Sequence, residues 1–349
     1  MDLEMLIFRS RTFSLTRRHF DGAGYLEVDT PTLSPALIPE TSIEAFRADY
    51  LMPGSGGPER ARPLYLVPSP EIYMKPLIAS HGVSLYQLSK CYRNVESVGR
   101  IHSPEFTMLE YYTMHADAAR SIDVTEGYLE FLGDRLFAKG SLPGHAADAP
   151  VWLKAPPLVI TMDEAFARWA GFRLSSCPAS SDLARHAKAL EIGLSDDYST
   201  WEWDDLYELI LVHAVEPSLP KDRRVYITEY PARVPCLARE GSRMVEGREW
   251  AFKERWELYV NGVELANCYT EERDARAIEA FMESETLIKG KTARVRHPAV
   301  RDFGDISSRM PPCSGVAIGF DRLVMSLAGR SSIDSVLPFP LTQALEAVD

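Results

Sequence analysis

Leu6, Phe13 and Phe20 recur every seven residues, with Leu3 and Ile7 beside them, and this spacing predicts one apolar face of an amphipathic helix at the start of the chain. Gly22 and Gly24 end it. Residues 25–28 read as a short strand, halted by Asp29-Thr30-Pro31 because proline cannot donate to a sheet ladder. Two longer strands are predicted at 84–93 and 105–113, separated by a polar run at 94–104. Period-two alternation puts Gln87, Ser89, Cys91 and Arg93 on one face of the first, and Phe106, Glu110 and Tyr112 on one face of the second. A polar face beside an apolar one marks the floor of a site.

Further along, residues 53–63 form a Gly- and Pro-rich loop without a phosphate-binding signature, and 138–157 form an Ala-, Gly- and Pro-rich linker. A mainly helical insert is expected at about 161–220. Asn261-Gly262 between alternating runs predicts a hairpin with a type I′ turn, which puts Glu264 just inside the second strand. Residues 315–320 read as a buried strand running into a helix that begins at Asp321 as N-cap and stops near Gly329. Because the strands follow hairpins and long loops rather than alternating with helices, the expected class is α+β, a mainly antiparallel sheet flanked by helices.

A chain of 349 residues, 46% hydrophobic, can bury a large core. Its net charge of −12 argues against a free-standing nucleic-acid binder. Five cysteines without a Cys-x-x-Cys pair point to a reducing compartment. The longest apolar stretch, 206–215, is interrupted by Glu208 and His213 and is too short to span a bilayer. The N-terminus has no secretory pattern. A soluble cytoplasmic protein is the expectation, with no membrane partner.

Some of these residues suit a definite chemistry. An arginine on a polar sheet face, Arg93, can bind an α-phosphate and stabilise the crowded anion formed when a carboxylate attacks it. Phe106 offers adenine a flat surface, and His102 can contact outer phosphates. Arg322, in a helix first turn, is misplaced for stability unless an anion sits there. Glu264 and Glu271, seven residues apart near opposite ends of a strand and the turn after it, carry hard oxygens of the kind Mg²⁺ takes. Taken singly, Arg93 reads as a surface arginine, Phe106 as core, His102 as a loop residue, the two glutamates as solvated strand charges, and Asp321-Arg322 as a cap and an ion pair.

Taken in order, the segments resemble the signature motifs of class II aminoacyl-tRNA synthetases. The helix, strand and Pro31 resemble motif 1. YQLSKCYRN at 86–94 and HSPEFTMLE at 102–110 resemble the lysyl form of motif 2, and GFDRL at 319–323 resembles motif 3. ELANCYTE at 264–271 and Ser69-Pro70-Glu71 resemble further lysyl segments. The resemblance implies the class II catalytic fold over 1–349, with ATP and Mg²⁺. It implies Arg93 and Arg322 as catalytic groups, and Asn94, Glu96, His102, Ser103 and Phe106 around ATP together with Glu264, Leu265 and Gly319. Ser69, Pro70, Glu71 and Tyr112 would hold the amino acid with Asn267, Glu271 and Ala317, and Glu264 and Glu271 would serve the metal. Two departures stand out. Val95 occupies the place where a glutamate follows Arg-Asn in the family, and the step from Arg93 to His102 is one residue longer, so that Glu96 takes that role through a shifted loop.

Motif 1 begins almost at Met1, which leaves no room for an N-terminal OB-fold of anticodon-binding type. The chain therefore resembles, end to end, the elongation factor P–lysine ligase family. That resemblance implies a homodimer that activates (R)-β-lysine or lysine as an adenylate and transfers it to a lysine of elongation factor P, with tRNA not a partner. Ala317 stands where lysyl-tRNA synthetases tend to have glycine, and one methyl in a tight pocket shifts substrate preference by about 1–3 kcal/mol. Two other readings stay open: a truncated lysyl-tRNA synthetase paralogue with another amino acid or acceptor, and an inactive amino-acid-sensing subunit.

Overall fold

A computed structural model describes residues 2–53, 61–139, 148–193 and 198–346. Residues 54–60 of the loop expected at 53–63, and 140–147 of the linker expected at 138–157, lie outside the described residues. The chain divides into two compact units, Met1–Pro150 with Glu271–Asp349, and Val151–Thr270.

The first unit opens with α1 (Leu3–Gly22), which starts where the Asp2 carboxylate accepts the Met5 N–H at 2.8 Å. Its buried face is Met5, Phe8, Leu15 and Phe20, which corrects the expected one. Of the expected set only Phe20 is fully buried; Leu3 and Leu6 are exposed, and Ile7 and Phe13 are half-buried. Periodicity missed the true face because Thr12 and Thr16 lie on it. Their hydroxyls donate to the Phe8 and Thr12 carbonyls at 2.9 and 2.8 Å, so two polar residues are buried without loss.

After α1 come β1 (Leu26–Glu27), β2 (Leu33–Ser34), β3 (Phe46–Leu51), β4 (Ala61–Leu66), α2 (Glu71–His81), β5 (Leu85–Tyr92), β6 (Glu105–Met114) and α3 (Ala118–Leu136). β1 runs parallel to β5, β5 pairs antiparallel with β6, and β2, β4 and β3 make a separate three-stranded antiparallel sheet. One face of β5 and β6 is sealed by helices. Phe20 of α1 packs on Tyr86 and Tyr111 at ring-centroid distances of 5.0 and 4.8 Å, and the Tyr111 hydroxyl bonds Thr125 of α3 at 2.8 Å. The other face is left for the site.

In the second unit, α4 (Val151–Lys154) and β7 (Leu158–Thr161) lead to α5 (Met162–Trp169), α6 (Ser180–Ala189) and α7 (Trp203–Ile210), then β8 (Val225–Pro231), β9 (Glu240–Val245), β10 (Arg248–Val260) and β11 (Val263–Thr270). Thr161 and Glu164 cap α5 reciprocally. β10 pairs antiparallel with β8, β9 and β11, and β7 runs parallel to β8. Between β10 and β11, Asn261 and Gly262 take φ of 54° and 74°, the two left-handed residues that a type I′ turn requires.

The first unit resumes with α8 (Ala275–Thr292), α9 (Phe303–Ser308), β12 (Cys313–Gly319), α10 (Phe320–Leu327) and α11 (Leu341–Glu346). β12 pairs antiparallel with β6, setting Gly315 opposite Tyr112 and Ala317 opposite Glu110. α10 ends as expected, with Gly329 left-handed at φ 61°. Its start differs, because Gly319 is the N-cap. The Asp321 carboxylate is spent on tertiary contacts, an ion pair with Arg9 of α1 at 2.6 Å and a hydrogen bond from the Thr107 N–H at 2.7 Å. The class is α+β with mainly antiparallel pairing, as the sequence leads one to expect. Among the described residues no helix is long and apolar enough to cross a membrane.

Arg9 and Asp321 are both buried. Replacing Arg9 by Ala strands a carboxylate in the core and is expected to lower stability by about 3 kcal/mol or more. Urea unfolding measures this; an unchanged midpoint would contradict the role given to the pair.

Candidate functional site

Strand register sets Gln87, Ser89 and Cys91 of β5, Phe106, Met108, Glu110 and Tyr112 of β6, and Gly315, Ala317 and Gly319 of β12 on one face. The polar floor expected from alternation is therefore formed, and it has two ends of opposite character. Phe106 and Glu110 are four residues apart on an extended strand, or about 13 Å.

At one end Glu110, 3% exposed, accepts hydrogen bonds from Ser69 Oγ and from the Tyr112 hydroxyl, each at 2.7 Å. Pro70 precedes α2 as its N-cap and Glu71 is the first helical residue. One turn on, Lys75 is 2% exposed, paired with Glu71 and with Glu271 at 2.7 Å. Two carboxylates thus share one ammonium, and Glu110 is a third carboxylate whose bonded partners are hydroxyls. Burial pushes the Glu110 carboxyl up to about 8, with the negative charge of Glu71 adding to it. Burial raises Glu271 to about 7 although Lys75 opposes the shift. Gln87 Oε1 is buried without a hydrogen-bond partner. A Cβ on Gly315 would overlap the Glu271 carboxylate and come within 2.6 Å of the Tyr112 ring, so this position of β12 admits only glycine.

A fourth carboxylate joins from the loop after β2. Lys289 of α8 donates to the Glu40 carbonyl at 2.8 Å and to that of Ile43, while Glu285 accepts the Thr41 N–H at 2.6 Å. Burial, then the nearby Glu71 charge, lifts the Glu40 carboxyl to about 7, against the pull of Arg93 and Lys289. Sequence reading placed Gln87 and Glu110 on the floor face without giving them a role, and it named neither Lys75 nor Glu40. Lys75 lies one helical turn after Glu71, but nothing in the sequence flagged Glu40.

The other end is cationic. Arg93 follows β5, its backbone N–H bonded to the Pro104 carbonyl at 2.9 Å and its guanidinium 5.3 Å from the Phe106 ring centroid. Its Nε is buried without a partner. Arg322, in the first turn of α10, donates to the Ile101 carbonyl at 3.0 Å. His102 lies 3.7 Å from Glu96, and burial, with Arg322 next in effect, lowers its pKa so that the imidazole is neutral at pH 7. Ser103 is buried beside it, and Gly319 caps α10. Asn94 is turned to the chain, its amide donating to the Ala45 carbonyl at 3.2 Å and accepting the Val95 N–H at 2.9 Å. Val95 takes φ 60°, a left-handed conformation that costs a β-branched residue about 1–2 kcal/mol. The departure from the family's motif therefore coincides with local strain.

In the second unit Leu265 is buried and Glu264 half-buried on β11, opposite Tyr259 in the case of Glu264. Asn267 faces Glu257 across the hairpin and accepts from Arg255 at 3.2 Å. Glu257 is buried and paired with Arg255, a carboxylate that sequence reading passed over. Of the pair expected to serve a metal, Glu264 belongs to this unit, and Glu271 belongs to the first, where Lys75 holds it. Among the described residues no three Asp, Glu, His or Cys side chains converge to hold a metal alone. Mg²⁺ that keeps its waters and bridges phosphates needs only one or two carboxylates, so the acidic residues present fit it.

The family of tRNA synthetases class II (D, K and N) matches residues 3–343, and the chain belongs to it. Among curated proteins, the elongation factor P–(R)-β-lysine ligase of Yersinia enterocolitica is 32% identical over 342 residues, covering 97% of this chain and 95% of its own. The proteins of the same name from Hamiltonella defensa and Proteus mirabilis are 29% and 31% identical, with the same coverage of both chains. The fold is accordingly the class II synthetase type, and the chain is an ATP-dependent ligase by family.

A folded carboxyl raised from 4.5 to about 8 favours the native state below its unfolded value and loses that contribution as pH rises toward 8. Glu110→Gln is expected to remove this loss. The difference in melting temperature between variant and parent, both without ligand, should therefore move in favour of the variant from pH 5 to pH 8. A constant difference would show that Glu110 titrates normally.

Proposed function

We propose that this class II synthetase relative activates a diammonium amino acid, (R)-β-lysine in preference to α-lysine, as its adenylate and transfers it to a lysine amine of elongation factor P. The observation that carries the reading is the acidic end of the site, where Glu71 and Glu271 pair with the single ammonium of Lys75 and a further carboxylate, Glu110, is buried with only hydroxyl donors. A buried ammonium needs such acceptors to offset its desolvation, whereas an aspartate side chain would meet charge of its own sign. Within a family spanning aspartate, lysine and asparagine, the charge of the pocket selects lysine-like substrates.

In the first step a substrate carboxylate oxygen attacks the α-phosphorus of ATP, the bond to pyrophosphate breaks, and an acyl phosphate anhydride forms. Arg93 and Arg322 would meet the charge on the phosphates, and His102 would add a neutral donor. Mg²⁺ would supply further neutralisation of the triphosphate when bound, and Glu264 and Glu271 are the carboxylates we propose for it. Phe106 is the surface for adenine. In the second step the acceptor amine attacks the activated carbonyl, the new C–N bond forms, AMP leaves and the amine proton passes to solvent. No group of the enzyme is acylated. Acceptor and β-amino acid follow the names of the relatives, all of which carry them. Ala317, half-buried opposite Glu110, brings its methyl beside the amine-binding carboxylate, where about 1–3 kcal/mol of discrimination is available. We take the working form to be a cytoplasmic homodimer, a reading supported by the exposed Leu3 and Leu6 on α1.

Incubation with ATP, Mg²⁺, elongation factor P and either amino acid should add one lysyl unit to the acceptor, faster with (R)-β-lysine, as read by intact mass. Pyrophosphate exchange without this gain would retain the adenylate step and remove the acceptor. Arg93→Ala should slow amino-acid-dependent exchange by about two orders of magnitude, the effect of losing roughly 3 kcal/mol of charge stabilisation. Near-normal exchange in that variant would end the role given to Arg93.

A further inference from the structure

In a chain of net charge −12, residues 289–301 read KGKTARVRHPAVR, five lysines and arginines without one acidic residue. Lys289 turns inward to the carbonyls of Glu40 and Ile43. Lys291, Arg294, Arg296 and Arg301 are exposed, and among the described residues they make no ion pair. Such charges add little to folding stability, so their clustering on one segment needs another account.

The segment is held in place along its length. Glu44 accepts the N–H groups of Arg294 and Val295 at 3.1 and 3.2 Å, and the Tyr65 hydroxyl donates to the Arg296 carbonyl at 3.0 Å. Leu37 donates to the Pro298 carbonyl at 3.0 Å and accepts from the Val300 N–H at 3.1 Å. Arg294 and Arg296 are exposed while Val295 and His297, alternating with them, are half-buried. The supporting loop is the one that carries Glu40, and the Glu44 carbonyl accepts the N–H of Asn94, the residue after Arg93. A fixed row of cations thus stands one loop away from the reacting groups.

We propose that this basic edge, Lys291 to Arg301, docks an acidic face of the protein that accepts the activated amino acid. The inference rests on the protein-acceptor reading above. Charge complementarity at a rim steers encounter and fixes orientation, which an amine entering a site already filled by the adenylate requires. A folded acidic protein fits better than a nucleic acid. The rings at this edge, Tyr65 and His297, pack on each other at 5.7 Å instead of standing open for bases.

The test compares the full chain with Arg294→Glu/Arg296→Glu and, as a milder change, Arg294→Ala/Arg296→Ala. Lysine-dependent ATP–pyrophosphate exchange, measured without acceptor, should stay within about twofold of the parent, because the substitutions touch only the rim. KM for elongation factor P should rise about tenfold in the charge-reversed variant and less in the alanine variant, with kcat little changed. Added salt should raise the parent's KM and leave that of the reversed variant nearly flat. Equal KM values for parent and variants would overturn the docking role, as would a parallel loss of exchange. If the parent shows exchange but no transfer, the acceptor reading itself fails and the docking proposal falls with it. Competition of tRNA with transfer in the parent, absent in the variant, would reassign the edge to nucleic acid.

Discussion

Lys75 is the charge on which the site depends. It is buried one turn into α2 and held between Glu71 of its own helix and Glu271, so that it joins two distant parts of the chain. One ammonium cannot neutralise three carboxylates in a desolvated space. Burial, with the negative charge of Glu71 adding to it, lifts Glu110 and Glu271 above ordinary carboxylates. A ligand bearing ammonium groups completes a set of interactions that the protein alone leaves unfinished. On the proposed reading, selectivity for a cationic substrate would follow from this surplus of carboxylates.

The sheet makes this arrangement possible by having two unlike faces. Tyr86, Tyr111 and their neighbours are sealed under α1 and α3, where Thr16 and Thr125 satisfy the phenol groups of Tyr128 and Tyr111. That packing stabilises the unit, so the opposite face is free to carry groups that do not stabilise it. Gln87 Oε1 and Arg93 Nε are buried without partners, a cost that a purely structural surface would not retain. Strained Val95 belongs to the same economy of local sacrifice.

Much of this was legible in the sequence, for identifiable reasons. Period-two alternation located the site face because β5 and β6 pair regularly from Leu85 to Tyr92, and Asn261-Gly262 located its turn because few other dipeptides accept two positive φ values. The family's motifs singled out Arg93, Phe106 and Arg322. What failed was any inference that required knowing where a polar group ends up. Thr12 and Thr16 hid the buried face of α1 by bonding their own helix, and Asp321 looked like a cap but serves Arg9 and the Thr107 N–H. Glu40 was invisible because a distant helix, through Lys289 and Glu285, fixes its loop.

The alternation along β6 also constrains how this protein can change over generations. Phe106, Glu110 and Tyr112 face the site, while Leu109 and Tyr111 between them are core. Inserting or deleting one residue within the strand would exchange the two sets, putting carboxylate into the hydrophobic layer and phenyl into the pocket. The connection between the strands, residues 94–104, is not bound by that alternation and can change length without exchanging the two faces. Within this hairpin, substitution can reshape the pocket, whereas a gap is tolerated in the loop and not in the strands.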